Sequence, residues 1–175
     1  MPTLWILAST LACTDKAPVD TDSGADSAGP VYSCDGGVDD PTATLGTGAG
    51  STFVPLEDGQ QVTLEVAPQG GMGVAVRVIT TGLQADAPVD VLLDTEIDGE
   101  LSASFLNEAI TLYCQDDGRG MLWGVNVGFS AEDYPTSDFS ALFGQVADLV
   151  VTVTDQDGRS VTGRSTVEVV ETLDE

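Results

Sequence analysis

The sequence predicts an all-β protein, an antiparallel sandwich of about seven or eight strands, and three observations predict it. From about residue 62 onward, apolar and polar residues alternate in short runs with the two-residue period of strands. Turn formers punctuate those runs at Asp98-Gly99, Asp116-Asp117-Gly118 and Asp155-Gln156-Asp157-Gly158. Hydrophobic residues make up 42% of the 175 and charged residues only 19%, which is enough apolar surface for one core. Two half-apolar sheets that bury one another's inner faces satisfy all three, with a closed barrel as the alternative.

The chain opens on Leu4-Trp5-Ile6-Leu7-Ala8-Ser9-Thr10-Leu11-Ala12, an apolar run too short for a membrane-spanning helix, which needs about 20 residues. It reads as the apolar region of a signal peptide over residues 1–12. Residues 13–30 follow as a linker of Asp, Ser, Thr, Ala, Gly and Pro, which cannot bury enough surface to offset its ordering entropy. Its own negative charge extends it into a disordered spacer. Residues 31–175 make the sandwich domain.

Within that domain, Val62, Leu64 and Val66 are expected on one face, and Val74, Val76 and Val78 on the next strand after a turn at Pro68 to Gly71. Val89, Val91, Leu93 and Ile97 alternate with Asp90, Asp94, Glu96 and Asp98, so that strand has one acidic face turned to water. Asp98-Gly99 then turns the chain into a strand with Leu101, Ala103 and Phe105 on its inner face, continuing to Ile110, Leu112 and Cys114. Beyond Asp116-Asp117-Gly118 comes a strand carrying Trp123, Val125, Val127 and Phe129. Between Tyr134 and Ala147, Phe139, Leu142, Phe143 and Val146 recur at helical spacing, and Gly144 limits them to a short helix at one end of the sandwich. The last hairpin pairs Leu149, Val151 and Val153 with Val161 to Val170 across the Asp155 to Gly158 turn.

The charge balance narrows the function. Twenty-nine acidic residues face five basic ones, Lys16, Arg77, Arg119, Arg159 and Arg164, for a formal net charge of -24. Nucleic acid is excluded as a partner, because five scattered cations make no basic face for phosphates. An anionic membrane surface is equally unattractive, so membrane contact requires a lipid or an apolar anchor.

There is no histidine, which removes catalytic triads, most zinc sites and the usual general base near neutral pH. Adjacent carboxylates at Asp39-Asp40, Asp116-Asp117 and Glu132-Asp133 leave a carboxylate-based hydrolase as a minor alternative. No catalytic residue is assigned, and the expectation is not an enzyme. No cofactor is required. The one candidate is calcium, held by Asp155 and Asp157 together with Asp116 and Asp117 on a neighbouring loop at one end of the sandwich. Those Asp residues are equally expected as simple turn formers. Asp20, Asp22 and Asp26 alternate in the linker without the bidentate Glu of a calcium loop. Trp123 and Tyr113 are candidates for a ligand platform, with burial in the core as the alternative.

Leu11-Ala12-Cys13 followed by Thr14-Asp15-Lys16 resembles the lipobox of bacterial lipoproteins, although Thr10 stands where that motif usually has Leu and no Lys or Arg precedes the apolar run. The resemblance implies that Cys13 is lipidated and becomes the mature N-terminus, anchoring the protein to a membrane. An ordinary cleaved signal peptide, or a buried first strand with a free Cys13, are the other readings. Three cysteines are an odd count, which an acylated Cys13 explains by leaving Cys34 to pair with Cys114 in an oxidising compartment. That disulfide closes about 80 residues and adds roughly 4 kcal/mol in the chain-entropy model.

The segments Phe53-Val54-Pro55-Leu56-Glu57-Asp58-Gly59 and Ala67-Pro68-Gln69-Gly70-Gly71, with the lipobox and acidic linker, are similar to uncharacterised secreted lipoproteins of the myxobacterial type. Ala67 replaces the first glycine of that turn, and Gly73 stands near the place of a common His. The resemblance implies an immunoglobulin-like sandwich and a location in the bacterial cell envelope, at the outer membrane or cell surface, and carries no known activity. The expected function is a non-enzymatic envelope module that presents the sandwich to a protein or glycan. A calcium-dependent adhesion or stability module is the alternative.

Overall fold

The computed structural model describes residues 33–37, 40–66, 71–135 and 138–172. The leader, Cys13, the linker to residue 30, Asp39 and the 67–70 turn lie outside them. Ten strands follow in order: β1 (Thr42–Thr47), β2 (Val54–Pro55), β3 (Gln60–Thr63), β4 (Glu65–Val66), β5 (Met72–Thr81), β6 (Ala87–Ile97), β7 (Glu100–Cys114), β8 (Gly120–Gly128), β9 (Val146–Thr154) and β10 (Ser160–Val170). The fold is all-β, as the alternation predicts. The strands beyond the expected seven or eight are short ones, two residues each in β2 and β4.

Pairing runs β2-β1-β5-β8-β7-β6-β9-β10-β3, with β4 beside β5. The path curls into two facing layers. One holds β2, β1, β5, β4 and β8; the other holds β7, β6, β9, β10 and β3. They join at a corner where the last two residues of β7, Tyr113 and Cys114, pair with Met121 and Gly120 of β8. Leu93, Val91, Val89, Leu149, Val151 and Val153 from one layer meet Val74, Val76, Val78, Leu122 and Val127 from the other, all essentially without solvent exposure. Burial on this scale supplies most of the folding drive. The layers also close on the β1 side, where a Cβ on Gly163 of β10 would come within 2.6 Å of Leu45 Cδ1 and 2.9 Å of the Ala43 carbonyl oxygen.

One expectation fails at Leu64. Instead of a single strand over Val62 to Val66, the chain changes layers there. β3 runs parallel to β10, with Val62 opposite Val169, whereas β4 runs antiparallel to β5, with Val66 opposite Met72. Val62 is buried and Val66 is exposed, because the crossover ends the common face. The β3–β10 pair is also the one parallel ladder among the described strands of an otherwise antiparallel fold.

The Asp98-Gly99 turn forms as predicted. Asp98 and Gly99 have φ of 53° and 78°, and Ile97 pairs with Glu100, which makes a two-residue hairpin of the kind Asp-Gly favours. The expected end helix contracts to one 3-10 turn at Ser140–Leu142. Gly144 at φ 81° ends it, Leu142 is buried, and Phe139 and Phe143 meet edge to face at 5.7 Å. Val146 already belongs to β9 and is exposed.

Candidate functional site

The Asp155 loop forms one end of the sandwich, and its carboxylate is buried and fully used. Oδ1 accepts the backbone N–H groups of Asp157 at 3.0 Å and Arg159 at 2.9 Å. Oδ2 accepts the N–H of Gln84 at 3.3 Å and faces Arg159 Nε at 3.4 Å. Asp157 is exposed and pairs with Arg159 as well. Asp117 lies in a separate hairpin turn, tied to Arg119 at 2.6 Å. The side-chain hydrogen bond from Arg119 holds the Asp117 carboxyl below the usual carboxylate range. Asp116 lines a neighbouring depression of about 580 Å³ with Asp117, Arg119 and Phe53. No three His, Cys, Asp or Glu side chains converge on a metal-sized site among the described residues. Asp155 thus caps its turn, and Asp157 and Asp117 are ion-paired with Arg159 and Arg119.

Cys34 and Cys114 are joined as a disulfide, with Cα atoms 5.7 Å apart. It fastens the start of the domain to the end of β7, beside the corner between the layers. The strap is reinforced by the N–H of Ala85 donating to the Cys34 carbonyl at 2.8 Å and by a bridge between Asp35 and Gln84.

Trp123 departs from the expected inner face of β8. The β5–β8 register slips between Val76 and Val78, and Gly124 takes φ 62°. This extra residue is a bulge that reverses side-chain parity. Leu122, Val125 and Val127 point inward, and Trp123 points out at 39% exposure. Arg77 lies 4.5 Å from the indole centroid, a cation–π contact, while its Nη1 donates to the carbonyls of Gly50 and Thr52 at 2.7 and 2.8 Å. One ring face is therefore already covered by the protein's own cation. Tyr113 is exposed at the corner.

The largest departure is β7. Leu101, Phe105 and Leu106 are 62%, 46% and 58% exposed. Two bulges explain which way they point. Thr95 pairs with Ala103 but Glu96 pairs with Leu101, so Ser102 is an extra residue that turns Leu101 outward beside Glu96. A second slip between Val89 and Val91, with Ala109 at φ 57°, lets Leu112 return inward. Phe105 keeps its inward direction opposite Leu93 but borders a cleft instead of the core, although Thr95 Oγ1 donates to the Gly128 carbonyl across the layers at 2.7 Å nearby. The Phe105 ring lies against Gly128, where a Cβ would approach to 2.8 Å. Beside it is a cleft of about 520 Å³ lined by Leu93, Phe105, Leu106, Phe129 and Met72. The sequence signal for this edge is the adjacent pair Phe105-Leu106, because two large apolar neighbours on a strand must face opposite sides.

No family model matches the chain, and no curated protein matches it. Among solved structures it is similar to the CooA pilin subunit from enterotoxigenic Escherichia coli, with 13% sequence identity, 73% of this chain and 98% of that chain covered, and a TM-score of 0.28. A likeness this distant carries no argument about function.

Proposed function

We propose that the protein is a non-enzymatic module of the bacterial cell envelope, tethered through a lipid on Cys13, that works by contact with another protein. The observation behind it is that large apolar side chains are left exposed on both faces of β7, Leu101 and Leu106 on the outer face and Phe105 on the inner. Water contact at such side chains is unfavourable, and apolar surface of this kind marks contact sites. Of the carboxylates named for calcium, Asp155 is engaged by backbone N–H groups and Arg159, and Asp117 by Arg119. Protein is favoured over glycan because the exposed indole of Trp123, the natural stacking platform for a sugar, has Arg77 over it.

The test uses the full chain expressed in a bacterial envelope. Cross-linking and affinity capture should recover a specific protein, and the double variant L101D/L106D, which changes two exposed residues, should lose it while keeping the wild-type melting temperature. Capture that is indifferent to both substitutions would overturn the reading. Mass spectrometry of the mature N-terminus should find acylated Cys13; an unmodified thiol there removes the tether.

A further inference from the structure

Resting on that contact reading, we infer that the free edge of β7 accepts an extended, neutral or basic segment of a partner protein as an added strand. Sheet edges carry a row of backbone donors and acceptors, and proteins normally keep them short or protect them with Lys or Pro. The ends of the pairing path follow that rule: β2 has two residues and β3 has four. β7 has fifteen, with neither Lys nor Pro, and its two bulges leave Ala103 to Asn107 as a regular stretch. Away from β6 it is paired only at Tyr113 and Cys114, and from Leu112 back to Glu100 no described strand lies along it.

The facing edge of β8 from Leu122 to Gly128 is equally without a strand on that side among the described residues. The cleft between the two layers is of mixed character, with Leu93, Phe105 and Phe129 beside Ser104, Asn107 and Asn126 in its lining. An incoming strand would satisfy backbone groups along β7 and place alternate side chains against Phe105 and Leu93. Main-chain pairing would supply affinity and the alternate positions selectivity.

Charge selects the occupant. The only charged residues of β7 are Glu100 and Glu108, and β8 has none. All four described arginines are committed within the chain: Arg77 to the 50–52 loop and Trp123, Arg119 to Asp117, Arg159 to Asp155 and Asp157, and Arg164 to Glu96 and Asp148. An acidic segment therefore finds no cation here, whereas Lys or Arg flanking an apolar stretch would meet Glu100 and Glu108. A second copy fits poorly. In the antiparallel register centred on Ser104, Glu100 of each chain would face Glu108 of the other, and like charges directly opposite are destabilising. Each chain also carries a formal net charge of -24.

The probe is a synthetic peptide of Val-Thr repeats flanked by lysines, added to the full chain and followed by backbone amide exchange. Amides of β7 between Glu100 and Leu112 should slow at least tenfold at saturation, with those of β10 unchanged. Replacing the flanking lysines by glutamate should weaken binding at least tenfold. N-methylation of alternate peptide nitrogens, which removes ladder bonds without touching the protein, should abolish protection, and Leu106→Asp should weaken it. Protection elsewhere, undiminished binding of the N-methylated peptide, or protection of β7 by self-association without peptide would each overturn strand addition. A partner captured in the envelope without β7 protection leaves the contact reading standing and removes only this inference.

Discussion

Opening the Cys34–Cys114 link tests how the start of the domain is held. The two cysteines are 80 residues apart, and the chain-entropy relation for a loop of that length gives about 4.5 kcal/mol at 25 °C. That figure assumes that the reduced native state keeps the 33–37 strap docked. Its remaining ties are the Ala85 to Cys34 hydrogen bond at 2.8 Å and the Gly37 to Gly82 hydrogen bond at 3.2 Å, each worth about 1 kcal/mol net. The C34S/C114S chain should therefore unfold in urea with its midpoint lowered by about 2 M, taking a slope of about 2 kcal/mol/M. Exchange at the Ala85 amide is the companion measurement. A loss below about 1 kcal/mol with Ala85 still protected would refute the reasoning, because the strap would then be docked without the cross-link mattering to the unfolded chain. A small loss with Ala85 unprotected would instead show that the strap detaches on its own.

Asp155→Ala should cost about 2 to 4 kcal/mol, since it leaves the part-buried N–H groups of Gln84, Asp157 and Arg159 without their acceptor; an effect under about 0.5 kcal/mol in chemical denaturation would refute the buried-cap role. Millimolar calcium against chelator should leave the melting temperature of the full chain unchanged, and a reproducible rise would restore a calcium site. Gly163→Val should destabilise by about 1 to 3 kcal/mol through collision with Leu45 and the Ala43 carbonyl, read as a lower melting temperature.

Hydrogen bonding from Arg164 first, and then Thr166, lowers the Asp148 pKa below 3.8. A carboxylate with a folded pKa below its unfolded value stabilises fully above the unfolded pKa and loses that contribution as pH falls through the folded one. The stability difference between wild type and Asp148→Asn should thus be constant above about pH 5 and shrink on acidification below 3.8. A difference that grows toward low pH would contradict the assignment.

What the sequence disclosed and what it hid divide along physical lines. β6, β9 and β10 were legible because each buries one face against a full opposite layer, so Val89, Val91, Leu93, Val151 and Val153 alternate cleanly. β1 was not, because Leu45 is its one large apolar residue. Bulges defeated the parity of Trp123 and Leu101, since one inserted residue reverses every side chain beyond it and only the partner strand reveals the insertion. The layer change at Leu64 was hidden for a different reason: alternation records burial but not which sheet does the burying. The disulfide followed from counting cysteines, whereas the open edge of β7 depended on where β8 diverges, which is a property of the whole fold.

The parallel seam between β3 and β10 also governs the order of assembly. Gln61 and Glu168, hydrogen-bonded across it, are 107 positions apart, so β3 must wait for the strands between them before it gains its neighbour. A nascent or partly translocated chain ending before Ser160 could not cover β3, and β9 would be left as a bare flank. Such distant pairing raises contact order and slows folding. β10 is therefore the clasp, and the layer that holds β3 is complete only once β10 has docked along it.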